Sequence, residues 1–309
     1  MIGAPGVSSS KPTRRAYLAW VVVCLVWGTT YLGIRISIES NPPLLMGAFR
    51  WLAAGSLLVA MLRIRGERLP ARSAWPSLSI IGLLLIGFGN GAVVWAEQTV
   101  VSGLTAVLVA MAPFWMVGIE AVTPGGDPLT PRRIVGLIVG FAGIVLLVWP
   151  EIQFEGGAGF LTGVIFTQVA CIGWAIGSAY ARRRGREENV LAAVAVEMIF
   201  GGLWLLAAGL ARGEWTMLAF NLRTSAALAY LVVVGSVIGF SAYAYALKHL
   251  PVATVSLYAY VNPLIAVVLG VIVLKEPFNA RMIAAAAVVL GGMTLVREPS
   301  FVVRRRVVR

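Results

Sequence analysis

Histidine occurs once in this sequence, as His249, and cysteine twice, as Cys24 and Cys171. Metal sites need several such ligands at close spacing, so no metal centre is expected. Two cysteines give no disulfide framework. Charge is scarce as well. Only 12% of residues are Asp, Glu, Lys or Arg, about half of the roughly 25% usual in soluble domains. The segments GxSxG, HExxH and the phosphate-binding P-loop are absent, and with them the nucleophile elbow, the zinc protease site and ATP-driven transport by this chain alone. A membrane-embedded enzyme is the rival class, but no nucleophile–base pair and no paired carboxylates stand at working spacing. No enzyme activity and no cofactor are expected.

What is abundant is apolar sequence. Hydrophobic residues make up 59% of the 309 and the mean hydropathy is +0.88. Runs of about 20 apolar residues recur from Ala16 to Leu295, each long enough to cross a bilayer. The reading is an all-α membrane protein with ten helices: 16–38, 44–62, 75–96, 103–122, 132–149, 158–181, 190–210, 225–247, 252–274 and 280–296. The first run is too long for a signal-peptide core and is read as an uncleaved span.

Net charge is +12, and the basic residues cluster between the apolar runs. Topology explains them better than nucleic acid does, and no nucleic-acid partner is expected. With the N-terminus cytoplasmic, 19 of the 25 Lys and Arg fall on the cytoplasmic side and four on the other. Both termini are therefore expected in the cytoplasm.

The chain repeats itself. "CLVWGTTYLGIR" (24–35) aligns with "CIGWAIGSAYAR" (171–182), matching Cys24, Trp27 and Arg35 to Cys171, Trp174 and Arg182 at an offset of 147. The same offset puts Gly55 on Gly202 and Arg50 on Glu197. Pro113 meets Pro263 at 150, and "DPLT" (127–130) meets "EPFN" (276–279) at 149. Five helices per half is an odd number, so the halves enter the membrane from opposite sides. Inverted repeats of this kind mark secondary transporters. The expected layout is a cytoplasmic tail (1–15), a first repeat (16–150), a second repeat (157–297) and a basic cytoplasmic tail (298–309).

Four segments, "VWGTTYLGIRISIESNPPLLMGAFRWLAAG" (26–55), "GNGAVVWAEQTVVSGLTAVLVAMAPF" (89–114), "EMIFGGL" (197–203) and "YAYVNPLIAVVLG" (258–270), carry a family likeness. The chain resembles the EamA-type transporters of the drug/metabolite transporter superfamily, and within them the YedA-like bacterial inner-membrane exporters. The resemblance runs from about residue 16 to 297. It implies ten helices in two inverted repeats, a central cavity lined by helices 1–4 and 6–9, and export from the cell. It leaves the substrate open among amino acids, drugs, nucleotide sugars and other metabolites. Amino acids or similar small amphiphiles are the leading expectation. The first repeat departs from the family at "TPGGDPLT" (123–130), where a Gly-Glu pair is usual.

The candidate site follows from what lipid makes costly. Charges inside spans cost a few kcal/mol each. Arg50 is a candidate for a substrate carboxylate, or it snorkels to the outer interface. Glu197 and Glu97 are candidates for proton coupling. Glu197 alternatively holds a neighbouring helix, and Glu97, at the outer end of helix 3, alternatively is a solvated interfacial carboxylate. Protons are thus a candidate partner beside the lipid bilayer and a small-molecule substrate, and the oligomeric state is open. Trp27 and Tyr31 share a face of helix 1, and Tyr258 and Asn262 a face of helix 9. With Asn90, Gln168, Trp174 and Tyr243 they form the expected cavity wall, since binding sites combine aromatic surface with a few polar groups. Packing is the plainer reading for any one of these rings. Pro113 and Pro263 interrupt equivalent helices, and paired interruptions point to a transport path.

Overall fold

The computed structural model describes residues 14–123, 129–154, 157–184, 189–250, 252–255, 257–277 and 279–296. Residues 1–13, Asp127 and the basic tail 298–309 lie outside the described residues. Ten principal helices follow in order: α1 (Arg14–Ser37), α2 (Pro43–Ile64), α3 (Arg72–Ala96), α4 (Ser102–Val122), α5 (Pro131–Phe154), α6 (Gly157–Arg184), α7 (Val190–Ala211), α8 (Leu222–Ala246), α9 (Tyr258–Leu274) and α10 (Ala280–Val296). Among the described residues there is no strand. Seven helices, α1–α4 and α6–α8, are long and apolar enough to cross a membrane. α9 and the Met282–Leu295 part of α10 are shorter apolar helices. The ninth helix differs from expectation: Val252–Val255 forms a separate turn and α9 proper starts at Tyr258.

The helix ends are set by local chemistry. α2 opens on Pro43, whose missing N–H costs nothing at a first helical position. Asn189 caps α7 by accepting from the Ala192 amide. Asn221 and Thr224 form a reciprocal cap on α8. Two glutamates reach helix starts across the halves. Glu214, in the turn after α7, accepts from the Leu45 amide at the start of α2 at 2.9 Å. Glu67, in the turn after α2, accepts from the side-chain Nδ2 of Asn189, the residue that caps α7, at 3.0 Å.

Packing follows the same exchange. The two most extensive helix pairs are α2 with α7 and α5 with α10, each joining equivalent helices of the two halves. α1 packs on α9 as α6 packs on α4, and α1 on α8 as α6 on α3. Small residues allow these close crossings. A Cβ at Gly82 would stand 2.5 Å from the Glu197 carbonyl oxygen, and one at Gly292 would stand 2.7 Å from the Gly140 amide. Large apolar side chains point outward instead, among them Leu25, Ile138, Leu264 and Ile272. An apolar exterior of this kind suits lipid rather than water.

Two helices change their winding at equivalent places. α3 is π-helical over Leu83–Asn90, and α8 over Leu231–Ile238. Such a stretch shifts the hydrogen-bond ladder to i→i+5 and leaves carbonyls short of partners. α4 is broken after Val109 and resumes at Ala112, with Pro113 in the first turn of the second piece.

Candidate functional site

Freed backbone carbonyls explain much of the local order. Pro113 has no N–H, so Val109 oxygen loses its intrahelical donor. The Cys171 thiol lies 3.8 Å from it, which gives this cysteine a packing role at the break in α4. On the α3 π-stretch, the Asn90 amide donates to Leu85 oxygen at 3.0 Å. On the α8 π-stretch, Trp27 Nε1 donates to Gly235 oxygen at 3.2 Å. Asn262, with its amide nitrogen turned toward them, reaches Tyr258 oxygen at 3.0 Å and Cys24 oxygen at 3.1 Å. Pro263 follows it, buried inside α9.

The three amides therefore serve the protein first. Asn90 and Asn262 tie down backbone. Gln168 accepts from Trp115 Nε1 at 2.9 Å, and its own amide nitrogen is buried without a partner.

The aromatic residues divide into two groups. Trp27 stands at ring-centroid distances of 5.0 Å from Phe240, 5.1 Å from Tyr243 and 5.0 Å from Tyr258. Tyr243 and Tyr258 meet edge-on at 5.9 Å. Phe240 touches Trp51 at 5.9 Å, and the Arg50 guanidinium lies 4.4 Å over the Trp51 ring. One continuous aromatic surface thus runs from α9 through α1 and α8 to α2. Trp174 lies elsewhere, where α6 crosses α3, 3.3 Å from the position of a Cβ on Gly89. Tyr31 packs in a different cluster, with Ile34, Met46 and Leu231.

The charged candidates separate as well. Arg50 is 3% exposed, and its Nε donates to Ser236 Oγ in the α8 π-stretch at 3.1 Å. It does not snorkel to an interface. Glu97 is fully buried, and neither carboxylate oxygen has a hydrogen-bond partner among the described residues. The solvated reading of Glu97 is therefore replaced. Its position at a helix end suggested water, but the backbone after α3 folds under α1, and Arg35 donates to the Glu97 carbonyl oxygen. Glu97 lies within electrostatic reach of Arg35, Glu276 and Arg50. Glu197 is half-buried on α7, beside its close crossing with Gly82.

A cleft of about 600 Å³ opens at the end of the molecule where α1 and α9 finish. Arg35, Glu39, Gln98, Lys275 and Glu276 line it. Glu276 holds the start of α4, accepting from the amides of Ser102 at 2.8 Å and Gly103 at 3.1 Å. Glu39 is paired with Arg223 at 2.8 Å. At the opposite end of α4, Glu120 pairs with Arg182 of α6. His249 is exposed and stacks on Tyr245 at 4.2 Å, as a solvated helix end would. Among the described residues no group of His, Cys, Asp or Glu could hold a metal ion.

Several of these residues escaped the sequence reading: Trp51, Ser236, Phe240 and Glu276 in its capping role. Glu276 carried a signal, because it aligns with Asp127 at the end of the other half. Ser236 carried none.

Comparison with known proteins gives this architecture a family. The EamA-like transporter family matches twice, over residues 14–149 and 161–297. The inner membrane transporter YedA of Escherichia coli is 39% identical over 249 residues, covering 80% of this chain and 78% of its own. The transporter YvbV of Bacillus subtilis is 24% identical, covering 94% of this chain and 93% of its own. A WAT1-related chloroplastic protein of Arabidopsis thaliana is 27% identical, covering 92% and 70%. One solved crystal structure superposes with a TM-score of 0.65 at 20% identity, covering 91% of this chain and 96% of that one, a likeness of fold. With a family match in each half and transporters as its relatives, the chain belongs to the EamA-like transporter family and is a membrane transporter.

Proposed function

We propose that the protein is a secondary transporter that exports small metabolites across a bacterial inner membrane by alternating access. The ten helices are two inverted five-helix repeats (16–150 and 157–297), with both termini cytoplasmic. The observation that carries this reading is the exchange pattern of the largest helix contacts, in which α1 on α9 answers α6 on α4, α1 on α8 answers α6 on α3, and α2 on α8 answers α7 on α3. Two similar bodies joined through such an interface can rock about it and open to either side in turn. The matched π-stretches of α3 and α8 and the break in α4 place irregular backbone near the middle of the bundle, where it must face protein, water or substrate.

In this scheme the ring surface of Trp27, Tyr243 and Tyr258 forms one wall, and Gln168, with its unpartnered amide nitrogen, offers a hydrogen bond. Tyr31, Asn90, Trp174 and Asn262 shape the path by holding helices in place. Pro113 and Pro263 mark its bends. Amino acids are the first substrate class to test. Drugs and nucleotide sugars are the alternatives within the same fold. Proton coupling runs through Glu97 or Glu197.

Flux from proteoliposomes loaded with labelled amino acids and small metabolites, with and without a proton gradient, tests the reading. Gradient-accelerated release of at least one solute supports a coupled exporter. Release indifferent to the gradient removes the protons. No release of any metabolite, drug or nucleotide sugar overturns the transport mechanism. Orientation is tested by single introduced cysteines at Arg68 and Arg212, since both native cysteines are buried. An impermeant thiol reagent applied to intact cells should label the Arg212→Cys protein and spare the Arg68→Cys protein.

A further inference from the structure

The helices sort into two groups. α1 gathers α8 and α9 around itself, and α6 gathers α3 and α4. Where the groups meet, α4 of the first half touches α9 of the second through its first piece, Ser102–Val109. The second piece, Ala112–Val122, packs chiefly on α6. The α4–α9 contact is as close as backbone allows, since a Cβ at Gly103 would stand 2.9 Å from the Val267 Cα.

One side chain fastens this contact. Glu276, just past the end of α9, accepts from the Ser102 amide at 2.8 Å and the Gly103 amide at 3.1 Å. Amides in the first turn of a helix have no intrahelical acceptor, and a carboxylate there also meets the positive end of the helix dipole. Two details of α9 aim the carboxylate. Lys275 has a φ of 56°, the only positive value outside glycine among the described residues. This left-handed turn brings the Glu276 amide back to the Gly270 carbonyl at 3.1 Å. Gly270 itself leaves the space that the carboxylate fills, since a Cβ there would overlap Glu276 Oε2. Backbone held in a costly conformation recurs in switch regions.

The contact is also placed where it can be undone. Glu276 is half-buried and lines the cleft of about 600 Å³ with Arg35, Glu39, Gln98 and Lys275. A charge-assisted pair is strong while it is formed. When it parts beside an open cleft, water can take over the carboxylate and both amides, so no polar group is orphaned. The Glu39–Arg223 pair at the same end differs. It joins the end of α1 to the start of α8, within one group.

We propose that Glu276 is a releasable latch: its carboxylate on the first turn of α4 holds the two helix groups together at the cleft end, and its release lets α9 part from α4 and opens the molecule there. The latch rests on the transport reading for its purpose, because the two groups are then the bodies that rock. Its opening is measurable without flux.

The test is the distance between spin labels on Gln98→Cys and Ile272→Cys, both exposed positions, in the full chain in lipid nanodiscs. Both native cysteines are buried. The otherwise unaltered protein should show one main distance. Glu276→Ala should raise a longer-distance population about tenfold relative to the main one, within the range over which coupling shifts two states. Glu276→Gln keeps a neutral acceptor and should fall between. Two variants reach the latch without altering Glu276. Gly270→Ala displaces the carboxylate. Ser102→Pro removes one donor at the first position of α4, where proline suits a helix and Val101 before it is already extended. Both should shift the distances the same way, so the proposal stays testable if Glu276→Ala does not fold. Glu39→Gln breaks a tie inside one group and should change nothing. Unchanged distances in folded Glu276→Ala, or in both Gly270→Ala and Ser102→Pro, overturn the latch. An equal shift in Glu39→Gln also overturns it, since the change would then be general loosening. If the distances shift as described and proteoliposomes release no solute, transport falls and the latch stands. If solute moves and no variant shifts the distances, the latch falls and transport stands.

Discussion

The crossing of α1 with α8 and the crossing of α6 with α3 are counterparts in the two halves, and they are built in opposite ways. On α8 the close approach is made by Gly235 and Gly239, and α1 supplies Val26, Trp27 and Thr30. On the other side α6 supplies the glycines, Gly173 and Gly177, and α3 supplies Leu84, Leu85 and Phe88. Where the first half has Val26 and Thr30, the second has Gly173 and Gly177 at the same offset that pairs Trp27 with Trp174. The helices approach closely in both cases. Only the α1–α8 crossing carries the ring cluster and, through Ser236, the Arg50 contact. A duplicated scaffold thus keeps its helix spacing in both halves while concentrating aromatic and charged chemistry in one of the two crossings.

The sharpest way to break this comparison is to place bulk at the tight crossing. A Cβ at Gly173 would meet Phe88 Cβ at 2.8 Å and the Leu84 carbonyl oxygen at 2.9 Å, and that backbone has little room to yield. Gly173→Leu should cost about 3 kcal/mol or prevent folding, whereas Gly235→Ala, facing a Thr30 methyl at 3.1 Å, should cost about 1 kcal/mol or less. Thermal melts in detergent compare them, and equal losses would erase the distinction. The matched tryptophans give a middle-sized effect. Trp27→Ala removes three ring contacts and a hydrogen bond and should cost about 3 kcal/mol. Trp174→Ala should cost about half that, and a larger loss at Trp174 would relocate the aromatic centre.

The smallest effect is expected outside the crossings. Burial raises the Glu214 carboxyl above its ordinary range, against the opposing pull of the amides it caps and of Arg212. The folded protein then holds that proton more tightly than the unfolded chain does. The resulting stability is present at acid pH and is lost as pH rises through the folded value. Glu214→Gln keeps an acceptor for Leu45 and removes the titration. Its melting temperature should change little and lack this part of the pH slope. An unchanged slope would assign it to another group.

The all-helical membrane fold was legible because lipid enforces long apolar runs, and the family was legible in segments that span both halves. The internal pairing rested on rare residues, Trp27 with Trp174 and Pro113 with Pro263. The π-stretches were not legible: "LLLIGFGN" and "LVVVGSVI" read as ordinary apolar helix, since an i→i+5 ladder depends on what packs outside it. Nor was the burial of Glu97, which depends on Arg35 and on a segment from the far half. Asn90 and Asn262 read as ligand groups because an amide in lipid needs a partner, and a backbone carbonyl meets that need as well as a substrate does.

The cap that Glu214 places on α2 bears on how the chain is made. Glu214 follows the α2 amide it satisfies by 169 residues. At ribosomal speeds that interval is on the order of ten seconds. During it α2 sits in the membrane with its leading end uncapped by the side chain that will finish it, and five further helices, α3 to α7, emerge behind it. The first half is thus completed by the second, and the order of translation makes the later half the one that locks the earlier into place.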